Sequence, residues 1–315
     1  MNVNLNGSIG NTAVMGSAGA ALLLMTAMAG AQGGGDIMIG TGVHPESIAA
    51  TPDGGFIAAS AAGNNLYRWA PGDDSASVWA TIDEGAIALG TFVAGGTVYA
   101  CQISQSFGDG TLISFDLDSG ERTGAYALPG GGLCNDIAAG PDGTIFITDT
   151  GAFAGNPGRV LALVPVNEEG DLGFQTVFAS SAIGGADGLA FVGETLYVND
   201  VITGALFALE LAGTTLLDFE FLALSRELSS PDGMRTTADG TGMWVVENDV
   251  GRVAKITVDG DTAVIETVGE GDWVSTTSVI EIGGQLYVVD TDFPTRGTEE
   301  GAAQVFFAHA VNMGM

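Results

Sequence analysis

Short apolar runs broken by Gly, Asp or Pro recur along the chain, and they are made of strand-forming residues. Residues 56–60 read FIAAS, 97–103 TVYACQI, 145–149 IFITD, 195–201 TLYVNDV, 205–211 ALFALEL, 242–249 GMWVVEND and 285–292 QLYVVDTD. Val, Ile, Thr, Tyr and Phe dominate them, and fifty glycines favour turns between them. No stretch of 15 residues carries a charge-bearing helical stripe. The pattern predicts an all-β chain in which the more apolar runs are buried between neighbouring sheets.

The runs are grouped by a repeated spacing. Glu46 begins ESIAATPDG, Asn135 begins NDIAAGPDG and Asp232 begins DGMRTTADG, each with an oxygen-bearing side chain seven residues before the Asp of an Asp-Gly pair. A fourth copy, Asp187 in DGLAFVGET, is one residue shorter. Each copy reads as strand, tight turn, strand, because the glycine supplies the positive φ of a hairpin turn. Blades then begin near Val43, Ile87, Leu133, Asp187, Asp232 and Ser275, six units of roughly 40 residues. The expected fold is a six-bladed β-propeller with four-stranded antiparallel blades. Residues 36–40, DIMIG, should close the ring beside QVFFAHA, because free ends would expose a sheet edge.

Residues 13–31 form an apolar stretch ending in Ala29-Gly30-Ala31, which reads as a signal peptide over 1–31 before a single domain over 32–315. It lacks Lys or Arg in its leading segment, so an uncleaved anchor stays open, although its Gly and Ala content makes a poor span. Export would place the protein in the periplasm or outside the cell, with no membrane segment left. The net charge of −30 repels phosphate backbones and argues against a nucleic-acid partner. That charge suits a halophilic or marine source, or an ordinary acidic secreted protein. A monomer is expected. Cys101 and Cys134 fall at the end of a second strand and the start of the next inner strand, where they form either a disulfide or two buried thiols.

The inner strands of a propeller aim side chains at one axis, so Glu46, Asn135, Asp187 and Asp232 would form an all-oxygen ring there. Hard cations, Ca²⁺ or another divalent ion, take such a ring. Four protein ligands leave positions for water and substrate. The plainer reading is that these residues bond to backbone at strand starts. His44, two residues before Glu46, falls on the same face by alternation and reads either as a pocket-mouth residue that could help move a proton or, more plainly, as a rim or turn residue. His309 gets no role. A second acidic series, Asp149, Asp200, Glu247 and Asp290, recurs at the ends of second strands and reads as backbone-bonding groups between blades. No phosphate-binding glycine motif, zinc-type Cys/His spacing or Walker lysine is present.

The motifs HPESIAATPDG, CNDIAAGPDGTIFITDT, ADGLAF with LYVND, and SPDGMRTTADGTGMWVVE resemble the family of senescence marker protein, gluconolactonase and luciferin-regenerating enzyme. That family is a six-bladed calcium-dependent propeller, related in form to the paraoxonases and diisopropylfluorophosphatase. The resemblance implies that Glu46, Asn135, Asp187 and Asp232 ligate the metal, and that Asp232 is also the catalytic base or nucleophile. Family members usually carry Asn where Asp187 stands, so this site would hold its cation more tightly and as a weaker Lewis acid. Sugar-lactonase members carry Arg where Leu133 stands, which points to a lactone or ester more apolar than an aldonolactone. Two functions are expected from this: a metal-dependent hydrolase of small lactones or esters, or a non-catalytic binding propeller with a structural ion.

Overall fold

The computed structural model describes residues 34–313, and the expected signal peptide lies outside them. Six antiparallel sheets follow one another along the chain, as the repeats require. The inner strands are Pro45–Ala50, Ala86–Ala94, Cys134–Ala139, Ala186–Val192, Pro231–Thr236 and Thr276–Ile282, one per blade. The Asp-Gly hairpins form where the spacing put them, with Gly54, Gly143 and Gly240 at φ of 83°, 87° and 69°. The only α-helix among the described residues is Glu299–Ala303, capped by the Thr298 side chain, and no described helix is long and apolar enough to cross a membrane.

The ring is closed by the first strand. Ile37–Thr41 pairs antiparallel with Val305–Ala310 and forms the outer strand of the sixth blade. Asp36 anchors it, one carboxylate oxygen lying 2.9 Å from Nδ1 of His309 and the other accepting from the Ala310 amide at 2.9 Å. His309 thus has a structural place that its isolation in the sequence did not suggest. Blade five carries an extra strand. Ala223–Leu224 runs parallel to Thr262–Glu270 and covers an edge that would otherwise be open.

The core is divided among the blade junctions, with a separate apolar cluster for each of the six pairs of neighbours. Ile57, Leu66, Val98 and Phe115 pack between blades one and two, and Phe146, Leu189 and Phe207 between blades three and four. Each sheet therefore buries both faces, which is why its runs read as nearly continuous apolar segments.

Between blades two and three the packing is also covalent. Cys101 and Cys134 are bonded, with Cα atoms 5.2 Å apart. Cys101 lies within the strand Thr97–Ser104 rather than at its end. The bond closes a loop with a sequence separation of 33 residues. Loop-closure entropy for that length gives a stabilisation of about 2–4 kcal/mol. Replacing both cysteines with Ala should lower the unfolding free energy by that amount in denaturant titration, whereas an unchanged midpoint would mean the bond adds nothing to the junction.

Candidate metal centre

Every inner strand breaks register with its neighbour at the same level. The breaks fall between Pro45 and Ser47, Ala88 and Thr91, Cys134 and Ile137, Ala186 and Leu189, Pro231 and Met234, and Thr276 and Ser278. A bulge re-aims side chains, and Glu46, Asn135, Asp187 and Asp232 each lie inside one. Glycines beside them let neighbouring backbones meet. A Cβ on Gly90 would lie 2.0 Å from the Asn135 carbonyl oxygen, on Gly188 2.3 Å from that of Asp232, and on Gly233 2.6 Å from that of Thr277. Asp187-Gly188 and Asp232-Gly233 are thus not hairpin turns. The glycine admits the next strand and the aspartate faces the axis.

The four side chains do converge. With Thr277 and Ser278 they line a cavity of about 10 Å³, room for one water-sized particle. Asn135 donates through Nδ2 to Asp187 Oδ2 at 2.7 Å and to Thr150 Oγ1 at 2.8 Å, which leaves its carbonyl oxygen without a protein partner. Asp232 is held by Asn248 Nδ2 at 2.9 Å and by the Gly233 amide at 2.9 Å. Neighbouring blades fix the strands themselves. Thr150 Oγ1 and Thr148 Oγ1 each donate at 2.6 Å to the carbonyls of Ala186 and Asp187, and Asn199 donates to that of Asp232 at 2.7 Å.

The electrostatics are unfavourable as the side chains stand. Burial, then the charges of Asp232 and Asp136, push the Glu46 carboxyl well above its usual range. Burial, then Asp232, Glu46 and Asp136, do the same to Asp187. Asp232 is lifted to about 7, chiefly by burial, with Asn248 and the Gly233 amide opposing the shift. Glu46 Oε2, Asp187 Oδ1 and Ser278 Oγ are buried with no hydrogen-bond partner, and such orphaned oxygens are costly. A cation would answer both problems, so the donor set fits a hard divalent ion. Among the described residues, however, no three His, Cys, Asp or Glu side chains stand close enough together to hold a metal ion as they are placed. The oxygens ring the cavity, and one of the four is an amide.

One positive charge is built in. Arg235, on the same inner strand as Asp232, donates Nη1 to both oxygens of Asp136 at 2.9 and 2.7 Å and Nη2 to the Thr91 carbonyl at 3.1 Å. Its charge lowers the Glu46 carboxyl, though less than burial and its acidic neighbours raise it. Neither Asp136 nor Arg235 nor Asn248 was singled out from the sequence. The signal available was Arg235 itself, a cation in an inner-strand run of a chain with seven arginines and one lysine.

Other expectations are relocated. His44 is 1% exposed and lies in the connection just before Pro45–Ala50, so it is a buried turn residue and not a rim one. Its φ of 44° and the bulge after Pro45 break the alternation that put it beside Glu46. Its Nδ1 lies 2.8 Å from the Thr291 carbonyl and its ring 4.4 Å from that of Phe306. It lines a separate cavity of about 360 Å³. The second acidic series bonds to backbone as expected, but within its own blade. Asp149 accepts from the Leu133 amide at 2.7 Å, Asp200 from Gly185 at 2.9 Å, Glu247 from Ser229 at 2.9 Å and Asp290 from Ser275 at 2.7 Å. Each pins the lead into its inner strand. Leu133 itself is buried in the cluster between blades two and three.

The lifted Asp232 carboxyl gives a pH dependence of definite sign. The folded, chelator-treated chain keeps a proton to about pH 7, while the unfolded chain releases it near about pH 4. This contribution to stability is full below about pH 4 and is lost as pH rises through about 7. Thermal melts of the chelator-treated protein should therefore show Tm falling across this window, with a shallower fall in Asp232→Asn. Equal slopes would show that Asp232 does not titrate there.

No curated protein sequence matches the chain. The luciferin-regenerating enzyme superposes with a TM-score of 0.63 at 14% identity, covering 89% of this chain and 93% of that one. A calcium-binding protein, regucalcin from Agrobacterium tumefaciens, gives 0.59 at 18%, covering 89% and 92%. A gluconolactonase from Xanthomonas campestris gives 0.60 at 17%, covering 86% and 88%. At these identities the likeness carries the fold alone. The sequence match goes further: the pattern described as SMP-30/Gluconolactonase/LRE-like region fits residues 45–291, from the bulge that holds Glu46 to the second strand of blade six, and the chain belongs to that family.

Proposed function

We propose that the protein is an exported hydrolase of lactones or related esters that works with a divalent cation, Ca²⁺ by preference, held by Glu46, Asn135, Asp187 and Asp232. The observation that carries this reading is the convergence of three buried carboxylates, two with orphaned oxygens, on one small axial cavity. Family membership and the gluconolactonase and calcium-binding neighbours support the substrate class and the ion. The Cys101–Cys134 bond supports an oxidising compartment, as does the expected signal peptide.

When bound, the cation supplies Lewis-acid polarisation of a carbonyl and stabilises oxyanion charge. Asp232 takes a proton from the water that attacks the carbonyl carbon. The ring C–O bond then breaks, and the proton returns from Asp232 to the departing alkoxide oxygen, leaving a hydroxy acid. The Asp232 carboxylate is the group placed to accept that proton and return it. Asn248 and the Gly233 amide fix its orientation. Asn135, tied to Thr150 and Asp187, keeps its carbonyl oxygen turned away from those partners.

The small size of the cavity, about 10 Å³, favours a second reading in which the ion is structural and the propeller binds a ligand without turning it over. A pH-indicator screen of lactones and esters, with Ca²⁺ and with chelator, separates the two. The hydrolase reading expects turnover only with the ion, and Asp232→Asn should lower kcat about 10²–10⁴-fold with the fold retained. Full turnover by Asp232→Asn with metal bound would remove Asp232 from the chemistry. Both readings expect ion binding to raise stability by mass action, by about 2.7 kcal/mol at a hundredfold excess over Kd. An unchanged Tm on chelation would contradict both.

A further inference from the structure

Arginine pairing in this chain has one exception among the described residues. Arg68 pairs with Asp53, Arg122 with Asp83, Arg159 with Asp149, Arg226 and Arg252 with Glu247, and Arg235 with Asp136. Arg296 has no carboxylate. Acids outnumber Lys and Arg by 38 to 8, so a partner would be easy to supply. Instead, Arg296 donates one hydrogen bond, from Nη1 to the Ala61 carbonyl at 2.9 Å. Its guanidinium carbon lies 5.6 Å from the centroid of the Phe107 ring, within reach of a cation–π contact. The remaining N–H donors have no protein acceptor.

Arg296 lines the cavity of about 360 Å³ that His44 also lines, with Gln105, Thr298 and the backbones of Gly42 and Gly297. His44 Nε2 is buried without a partner, packed against Gly301 rather than open to the cavity, and the Gln105 amide makes no protein hydrogen bond. His44 and Phe107 are two of the five non-glycine residues with positive φ, a conformation that persists where the surroundings impose it. This cavity and the axial one have no lining residue in common, but a short chain of hydrogen bonds joins them. Thr291 bonds His44 through its carbonyl and lies 2.7 Å from Thr277 through its hydroxyl, and Thr277 lines the axial cavity. His44 and Glu46 are two residues apart, so their Cα atoms are separated by at most about 7 Å.

We propose that this cavity is an anion subsite of the same active site, in which Arg296 receives a carboxylate carried by the substrate. The proposal rests on the lactone reading above and names its substrate class: a small lactone or ester with a carboxylate on a short side chain. A planar guanidinium with free donors suits a carboxylate by paired hydrogen bonds. The net charge of −30 leaves few competing sites for an anion, since the other six arginines are already paired with carboxylates. It also revises the expectation from Leu133, that the substrate is merely apolar.

The test compares a γ-lactone bearing a carboxymethyl side chain with its methyl ester. In the wild type, kcat/KM for the acid should exceed that for the ester by about 10-fold or more, the size of a charge-assisted pair. Arg296→Gln should bring the ratio down by about 10-fold, and Arg296→Lys should leave an intermediate value. A ratio that favours the ester in the wild type, or one unchanged in folded Arg296→Gln, would overturn the subsite. Should Arg296→Gln not fold, Phe107→Ala keeps the Arg296–Ala61 bond and should lower the ratio about 2–5-fold; no change there counts against the proposal. If neither compound is hydrolysed, the lactone reading fails by itself. Calorimetry with the ring-opened hydroxy dicarboxylate then decides the subsite: binding weakened at least 10-fold by Arg296→Gln supports it, and absent or equal binding overturns it.

Discussion

Where the inner strands of blades two, four and five meet their neighbours, a Cβ would overlap a carbonyl oxygen of the next strand. Glycine at 90, 188 and 233 is therefore the condition for the ring to close this tightly. The close approach brings the bulges of the inner strands to one level, and the bulges aim Glu46, Asn135, Asp187 and Asp232 at one point. The apolar junctions hold the blades in place, Thr148 and Thr150 tie blade three to the inner strand of blade four, and Asn199 ties blade four to that of blade five. Gly188→Ala or Gly233→Ala would disturb the ring before it disturbed any blade.

The same tightness sets the chemistry. Three carboxylates line one cavity of about 10 Å³, and each is pushed toward its protonated form by burial first, with the charges of Asp232 and Asp136 adding to this for Glu46 and those of Asp232, Glu46 and Asp136 for Asp187. Arg235 offsets part of this through Asp136, but it sits against the wall and leaves Glu46 Oε2 and Asp187 Oδ1 unpartnered. A site so arranged gains stability from a cation and loses it from a proton shortage. The fixed arginine and the proposed ion divide the work: one neutralises Asp136 permanently, and the other would neutralise the ring.

Much of the fold was legible because each blade repeats one sentence of sequence. The Asp-Gly hairpins, the apolar second strands and the closing strand at 37–41 follow from turn chemistry and from the need to cover an edge. Glu46, Asn135 and Asp232 stood out for the same reason, since equal spacing from a turn suggests equal height; Asp187, one residue short of that spacing, stood out only as a fourth, looser copy. What alternation could not give was the bulge. It moved His44 out of the register of Glu46 and turned the glycines of Asp187-Gly188 and Asp232-Gly233 into packing positions. Pairings across blades, such as Asp136 with Arg235 at a sequence distance of 99 residues, leave no local trace at all. The acidic residues at second-strand ends were read correctly as backbone-bonding. Their direction, back into their own blade, depends on which loop lies nearest, and only the assembled blade shows that.

The central claim is that the axial ring of oxygens holds a single hard cation. Anomalous diffraction from crystals soaked in Mn²⁺, a scatterer that takes the same oxygen ligands, tests it directly. The account predicts one strong peak on the propeller axis within about 2.0–2.6 Å of side-chain oxygens of Glu46, Asn135, Asp187 and Asp232, and its loss in Asp187→Ala. A peak only among surface carboxylates, or none on the axis at saturating metal, would contradict it.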